Sequence, residues 1–136
     1  MMKKYKKIED MPQKKLEEII KQAMDKKMPE IKTMPYLGEI ECKVIYEYPE
    51  MVALCPMTGY LDTYKLTYTY TPNKLLPELK SLRFYLMAYK DMRIGHEHLC
   101  AKLYRDFKKA VKPKKLKIEL DVAIRGGIHT LVSYEK

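Results

Sequence analysis

A chain of 136 residues has the length of one domain, and its 46% apolar content is ordinary for a globular protein. The net charge of +9 is large for this size. It is carried in runs, at Lys3, Lys4, Lys6 and Lys7, at Lys14 and Lys15, and at Lys112, Lys114, Lys115 and Lys117. Such runs are either solvated surface or the footprint of an anionic partner, such as a phosphorylated cofactor or RNA. Three cysteines, Cys42, Cys55 and Cys100, exclude an evenly paired disulfide framework. Their spacing is not that of metal ligands, so no metal is expected, and free thiols point to a reducing, cytoplasmic compartment. No apolar segment follows the basic start of the chain and no run approaches a membrane span, so neither a signal peptide nor a membrane partner is expected.

In chain order, residues 11–27 read as an amphipathic helix, with Leu16, Ile19, Ile20, Ala23 and Met24 on one face. Residues 28–38, with Pro29, Pro35 and Gly38, read as a connector. Residues 39–48 are rich in β-formers and read as a strand ended by Pro49, followed by a loop over 51–59. Residues 60–71 alternate strictly, Asp62, Tyr64, Leu66, Tyr68 and Tyr70 against Thr63, Lys65, Thr67 and Thr69, which predicts a strand. Pro77 is expected to open a helix to about residue 92, with Leu79, Leu82 and Leu86 as its buried stripe. Past Gly95, residues 96–111 predict a second helix with Leu99, Leu103, Phe107 and Val111 inward. Residues 116–124 and 128–134 predict two strands joined by a turn at Arg125-Gly126-Gly127. The order implies an α+β domain, a four-stranded antiparallel sheet with two helices on one face, preceded by an extra helix. Its open sheet edges call for pairing with other copies of the chain.

Residues suited to chemistry are few. Cys55 stands in a Pro/Gly loop, Leu54-Cys55-Pro56-Met57-Thr58-Gly59, with Asp62 just beyond it, and His96-Glu97 begins a helix. Each alone has a plain explanation: a buried thiol, a turn cap, a helix start favoured by the dipole. In order they resemble a known pattern. The stretch from Tyr48 to Gly59 is similar to the nucleophile loop of the 7-cyano-7-deazaguanine nitrile reductase superfamily, QueF and QueF-like, whose architecture is the tunnelling fold (T-fold). Asp62 falls where that family keeps its acid, and Glu78-Leu79-Lys80-Ser81-Leu82-Arg83-Phe84-Tyr85 resembles its cofactor helix. His96-Glu97 and Arg125-Gly126-Gly127-Ile128 also fall at matching places, so the resemblance runs over residues 39–134.

Residues 1–38 are then an N-terminal helix and connector outside the resemblance, which implies 39–136 as the catalytic domain. It implies subunits joined into a barrel, in one ring or in two stacked as a decamer, with sites at the interfaces. It implies Cys55 as the nucleophile that forms a thioimide, Asp62 as general acid and His96 as a positioning or proton-transfer group. Glu97, Glu78, Leu79, Ser81 and His96 would contact substrate, while Lys80, Ser81, Arg83, Arg125 and Gly126 would bind NADPH. The reaction implied is reduction of the nitrile to an aminomethyl group, in queuosine biosynthesis, a tRNA modification. A thiolate is the fitting nucleophile for a nitrile carbon.

The sequence departs from the reductase pattern at Arg83 and Phe84, mildly, and at Leu61-Asp62-Thr63-Tyr64, where Pro-Asp-Phe is usual. That last stretch looks more like the archaeal amidinotransferases, which form the same thioimide on tRNA and add ammonia to make archaeosine. The basic surface would suit tRNA under this alternative. The intact helix motif and Arg125-Gly126-Gly127 favour the reductase. A third reading is a pterin-binding or non-catalytic protein of the same fold, but His96, His98 and His129 make no familiar zinc motif.

Overall fold

The structure, a computed structural model, describes residues 11–136; the first lysine run lies outside the described residues. Nine elements follow in order: α1 (Gln13–Asp25), β1 (Thr33–Pro35), β2 (Val44–Leu54), β3 (Leu61–Thr71), β4 (Leu75–Pro77), α2 (Leu79–Met87), α3 (His96–Val111), β5 (Lys115–Arg125) and β6 (Ile128–Glu135). The main sheet is antiparallel in the order β2-β3-β5-β6, and β1 and β4 form a separate antiparallel pair. The described residues are thus α+β, with antiparallel sheets and three helices.

The core lies between the main sheet and α3. The stripe Leu99, Leu103, Phe107 and Val111 is fully buried. It meets the inward side chains of β3 and β5, with the Phe107 ring 4.7 Å from that of Tyr68 and 5.2 Å from that of Tyr70. Burying each such side chain contributes roughly 1.5–3 kcal/mol. Alternation along β3 holds as expected: Asp62, Tyr64, Leu66, Tyr68 and Tyr70 are all buried.

Three local readings need correction. First, Pro49 does not end a strand. β2 runs through it to Leu54, with a register shift between Tyr48 and Met51. Pro49 is tolerated because β2 is an edge strand and the residue sits at the irregularity, where no ladder hydrogen bond is lost. The extra residue also reverses the alternation, so that Met51 and Ala53 turn inward and are fully buried. Second, the connector contains β1, which pairs Thr33 with Pro77 and Pro35 with Leu75. Pro77 therefore belongs to β4, and α2 begins two residues later with Glu78 as its cap. Third, Leu79 is exposed: α2 buries Ser81, Leu82, Tyr85 and Leu86, and Leu79, its first residue, lies beyond the covered face.

The N-terminal segment is tied into the rest. Lys102 on α3 is 1% exposed, and its Nζ donates to the carbonyls of Met24 and Lys26, both at 2.9 Å, at the C-terminal end of α1. Lys32 donates its backbone N–H to Ser81 Oγ at 2.9 Å and accepts from the Glu78 N–H at 2.8 Å. No helix among the described residues is long and apolar enough to cross a membrane.

Candidate active site

Cys55 is placed by backbone bonds on three sides. Its N–H donates to Tyr60 O at 2.8 Å and its carbonyl accepts from Gly59 at 2.9 Å, closing the tight loop between β2 and β3. The preceding residue, Leu54, bonds on its other edge to Met92 O at 2.9 Å and to the Ile94 N–H at 3.0 Å. Arg93 Nη1 reaches Pro56 O at 3.4 Å, and Pro56 Cγ lies 3.9 Å from where a Cβ on Gly95 would stand. Gly95 is the N-cap of α3. The cysteine loop is thereby clamped beside the first turn of α3. The reversal at Pro49 matters again, because it sets Cys55 on the same sheet face as Ala53, whose cross-strand partner is Asp62.

Asp62 is 5% exposed and its carboxylate accepts from Arg125 Nη1 at 2.9 Å. Arg125 also donates to Leu61 O at 2.8 Å. Its placement follows from the β5–β6 hairpin. Gly126 and Gly127 have φ of 60° and 79°, the left-handed values a two-residue turn requires. A register shift between Val122 and Arg125 brings the arginine round to the face of Val122.

His96 and Glu97 open α3. His96 Nδ1 lies 3.0 Å from the Tyr64 hydroxyl, with the two rings edge to face at 5.5 Å. Burial first, then the charges of Asp62 and Cys55, hold the Tyr64 hydroxyl well above its ordinary pKa. Arg125 opposes this and Glu97 adds to it, so all four groups lie within electrostatic reach of that one phenol. The chain therefore brings Cys55, Asp62, His96, Glu97 and Arg125 together around Tyr64. Tyr64 itself was legible only as a strand residue; its position two beyond Asp62, on the same face, was the available signal.

The α2 residues form a second group. Glu78 engages both carboxylate oxygens in capping the helix, accepting from Lys80 N at 2.8 Å and Ser81 N at 2.9 Å, and these bonds hold its carboxyl below the usual range. Ser81 is buried, and its hydroxyl donates to Glu78 O at 2.7 Å while accepting from Lys32. Lys80 and Arg83 are exposed, the lysine Nζ 6.0 Å from the Phe84 ring centre. Arg83 borders a groove of about 340 Å³ between α2 and β2, whose walls include Tyr48, Leu79, Leu82 and Leu86. An arginine at the edge of an apolar wall fits a phosphate-bearing cofactor with a flat ring; Lys80 stands over Phe84 outside the lining of that groove, and Ser81, turned inward, does not present its hydroxyl there. A larger cavity, about 540 Å³, lies among Lys43, Lys115 and Lys117 and touches neither group.

The other thiols are set apart. Cys42 is exposed and precedes β2, rather than packing on a strand, and lies 3.5 Å from the Tyr36 hydroxyl. Cys100 is fully buried, with Sγ 3.7 Å from Ile118 O and 3.8 Å from Val132 O. All three thiols are free.

A family model described as QueF-like protein matches residues 62–136. The NADPH-dependent 7-cyano-7-deazaguanine reductase of Elusimicrobium minutum is 38% identical over 112 residues, covering 81% of this chain and 85% of that one. The reductase of the same name from Chloroherpeton thalassium is 45% identical over 89 residues, covering 64% of this chain and 77% of its own. Among solved structures, an archaeosine synthase QueF-Like in the apo form matches with a TM-score of 0.62 over 72% of this chain and 94% of that one, at 19% identity, a likeness of fold. By the length of the first match and the span of the family model, this chain belongs to the QueF-like family.

Proposed function

We propose that the chain is an NADPH-dependent 7-cyano-7-deazaguanine reductase acting in queuosine biosynthesis. The observation that carries the reading is the clamped Cys55 loop facing Asp62 and the first turn of α3, in a chain whose similar relatives bear that name. The Cys55 thiol gives its proton to the Asp62 carboxylate and the sulfur bonds to the nitrile carbon. The nitrile nitrogen then takes the proton back from Asp62, so the thioimide forms with no net proton change. Arg125 keeps that carboxylate aimed across the sheet. His96 holds the nitrogen by a hydrogen bond while it acquires further protons, and Glu97 accepts from the N–H groups of the guanine-like edge. NADPH, when bound, would supply two hydrides, one before and one after the C–S bond breaks to return the Cys55 thiol, and the nitrogen's two further protons come from solvent. Lys80 and Arg83 would hold its phosphates; Glu78 and Ser81 act indirectly, by fixing the start of α2.

Copies of the chain joining through the free edges β2 and β6 would complete this site and form the barrel. Exposed Ile128, Leu131 and Tyr134 on β6 and Ile45 on β2 support that assembly. Light scattering at micromolar concentration is expected to give a ring-sized or double-ring particle, and a monomer would count against it.

The deciding experiment is incubation with free 7-cyano-7-deazaguanine, with and without NADPH. Consumption of two NADPH per nitrile is expected. A protein that forms the Cys55 thioimide but never oxidises NADPH, and instead converts nitrile-bearing tRNA with ammonia, would be the amidinotransferase.

A further inference from the structure

Tyr64 takes no part in the reaction as written, yet it stands at its centre. The side chain is 2% exposed, and it lies between Met51 and Val122 across the sheet. Among the described residues its hydroxyl has one hydrogen-bond partner, His96 Nδ1.

We propose that Tyr64 is a positioning residue that fixes His96 in the Nε2–H tautomer, so that the ring offers a hydrogen-bond donor to the nitrogen of the bound substrate. The assignment rests on the reductase reading for its chemical purpose but on geometry for its direction. A buried hydroxyl with one partner donates to it; if Nδ1–H donated instead, the phenol hydrogen would be left unpaired at its full desolvation cost. Burial and the neighbouring Asp62 and Cys55 keep the hydroxyl protonated and hence able to donate. A neutral imidazole carries one donor and one acceptor, so an accepting Nδ1 leaves the proton on Nε2. Nε2 is the ring nitrogen that Tyr64 does not engage, and His96 is half-buried, so under this proposal Nε2 is the nitrogen that meets the ligand. A neutral histidine fixed in this way polarises a C=N bond without having to give up its proton, as a developing negative charge on nitrogen requires. The Nδ1–H tautomer would instead present a lone pair to that nitrogen and repel it.

The test starts with the cofactor-free protein. Nitrogen-15 spectra of the labelled imidazoles, with His96 identified from the His96→Gln spectrum, are expected to show Nε2–H and an accepting Nδ1. In Tyr64→Phe, which keeps the ring and its packing, the tautomer is expected to become mixed. Capture of the nitrile by Cys55 should stay within about threefold. Turnover of NADPH should fall roughly ten- to a hundredfold in kcat with KM little changed. A protonated Nδ1 in the unmutated protein would overturn the assignment. So would a Tyr64→Phe protein in which capture and turnover fall together, since that is the pattern of a packing residue. The spectra need no cofactor, so a protein that never oxidises NADPH fails as a reductase while the tautomer is decided on its own.

Discussion

Cys55 and Cys100 are the same chemical group in two surroundings. Cys100 lies in the second turn of α3, with no solvent exposure, and burial pushes its thiol up to about 12, against a smaller opposing bond from the Tyr134 backbone. At neutral pH its thiolate fraction is then on the order of one in a hundred thousand. Cys55, far from that helix in sequence, sits on a tight loop that the residues just ahead of α3 clamp, and it is partly exposed. A thiol is a candidate nucleophile or a small apolar filler according to its exposure, and here a loop at the sheet's end leaves one cysteine open while the inward face of α3 buries the other.

Four tests press on this contrast. The largest effect is expected from Cys55→Ala: intact mass should show no nitrile adduct, while Cys42→Ala and Cys100→Ala still form it. An adduct surviving Cys55→Ala would dissolve the distinction. Asp62→Asn should slow adduct formation by roughly a hundredfold or more, measured by quenched mass spectrometry, with NADPH affinity retained. Lys80→Ala and Arg83→Ala should each raise the KM for NADPH by about ten- to a hundredfold, from the loss of a charge-assisted bond of roughly 1.5–3 kcal/mol, and leave capture nearly untouched. The smallest effect concerns Cys100 and alkaline pH. Folded Cys100 holds its proton to about 12, whereas the unfolded thiol releases it near 8.5. The stability it contributes is fully present below about pH 8.5 and is lost as pH rises toward 12. Buried Tyr68 and Tyr85, also raised by burial, act in the same direction. Melting temperature should therefore fall across that window, and less steeply in Cys100→Ala.

The long periodic elements were legible because their spacing leaves one reading: α3 falls on residues 96–111 as expected, and β3 on its alternating tract. What escaped the sequence was irregular or non-local. Pro49 punctuates a strand in most contexts, and only its place on a sheet edge allows β2 to continue through it. β1 is three residues long and exists because β4, far along the chain, lies beside it. Leu79 continues the leucine spacing, but its position at the helix start leaves it uncovered. In the candidate site, the residues proposed to act at the nitrile carry reactive side chains and were visible one by one. Tyr64 was not, because a tyrosine among alternating tyrosines has no signature until His96 is folded onto it.

The bonds from Lys32 to Ser81 and from Lys102 to the end of α1 also fix where the chain can be shortened. Cutting at Gly38 would strip β4 of its strand partner, open the Ser81 hydroxyl at the root of α2, and strand the buried Lys102 ammonium without acceptors. An unpaired buried cation alone is a severe defect. The segment from Met24 to Pro35 is thus a brace holding the start of α2 against α3, and the shortest chain expected to fold begins ahead of Met24, with α1 kept long enough to close over that lysine.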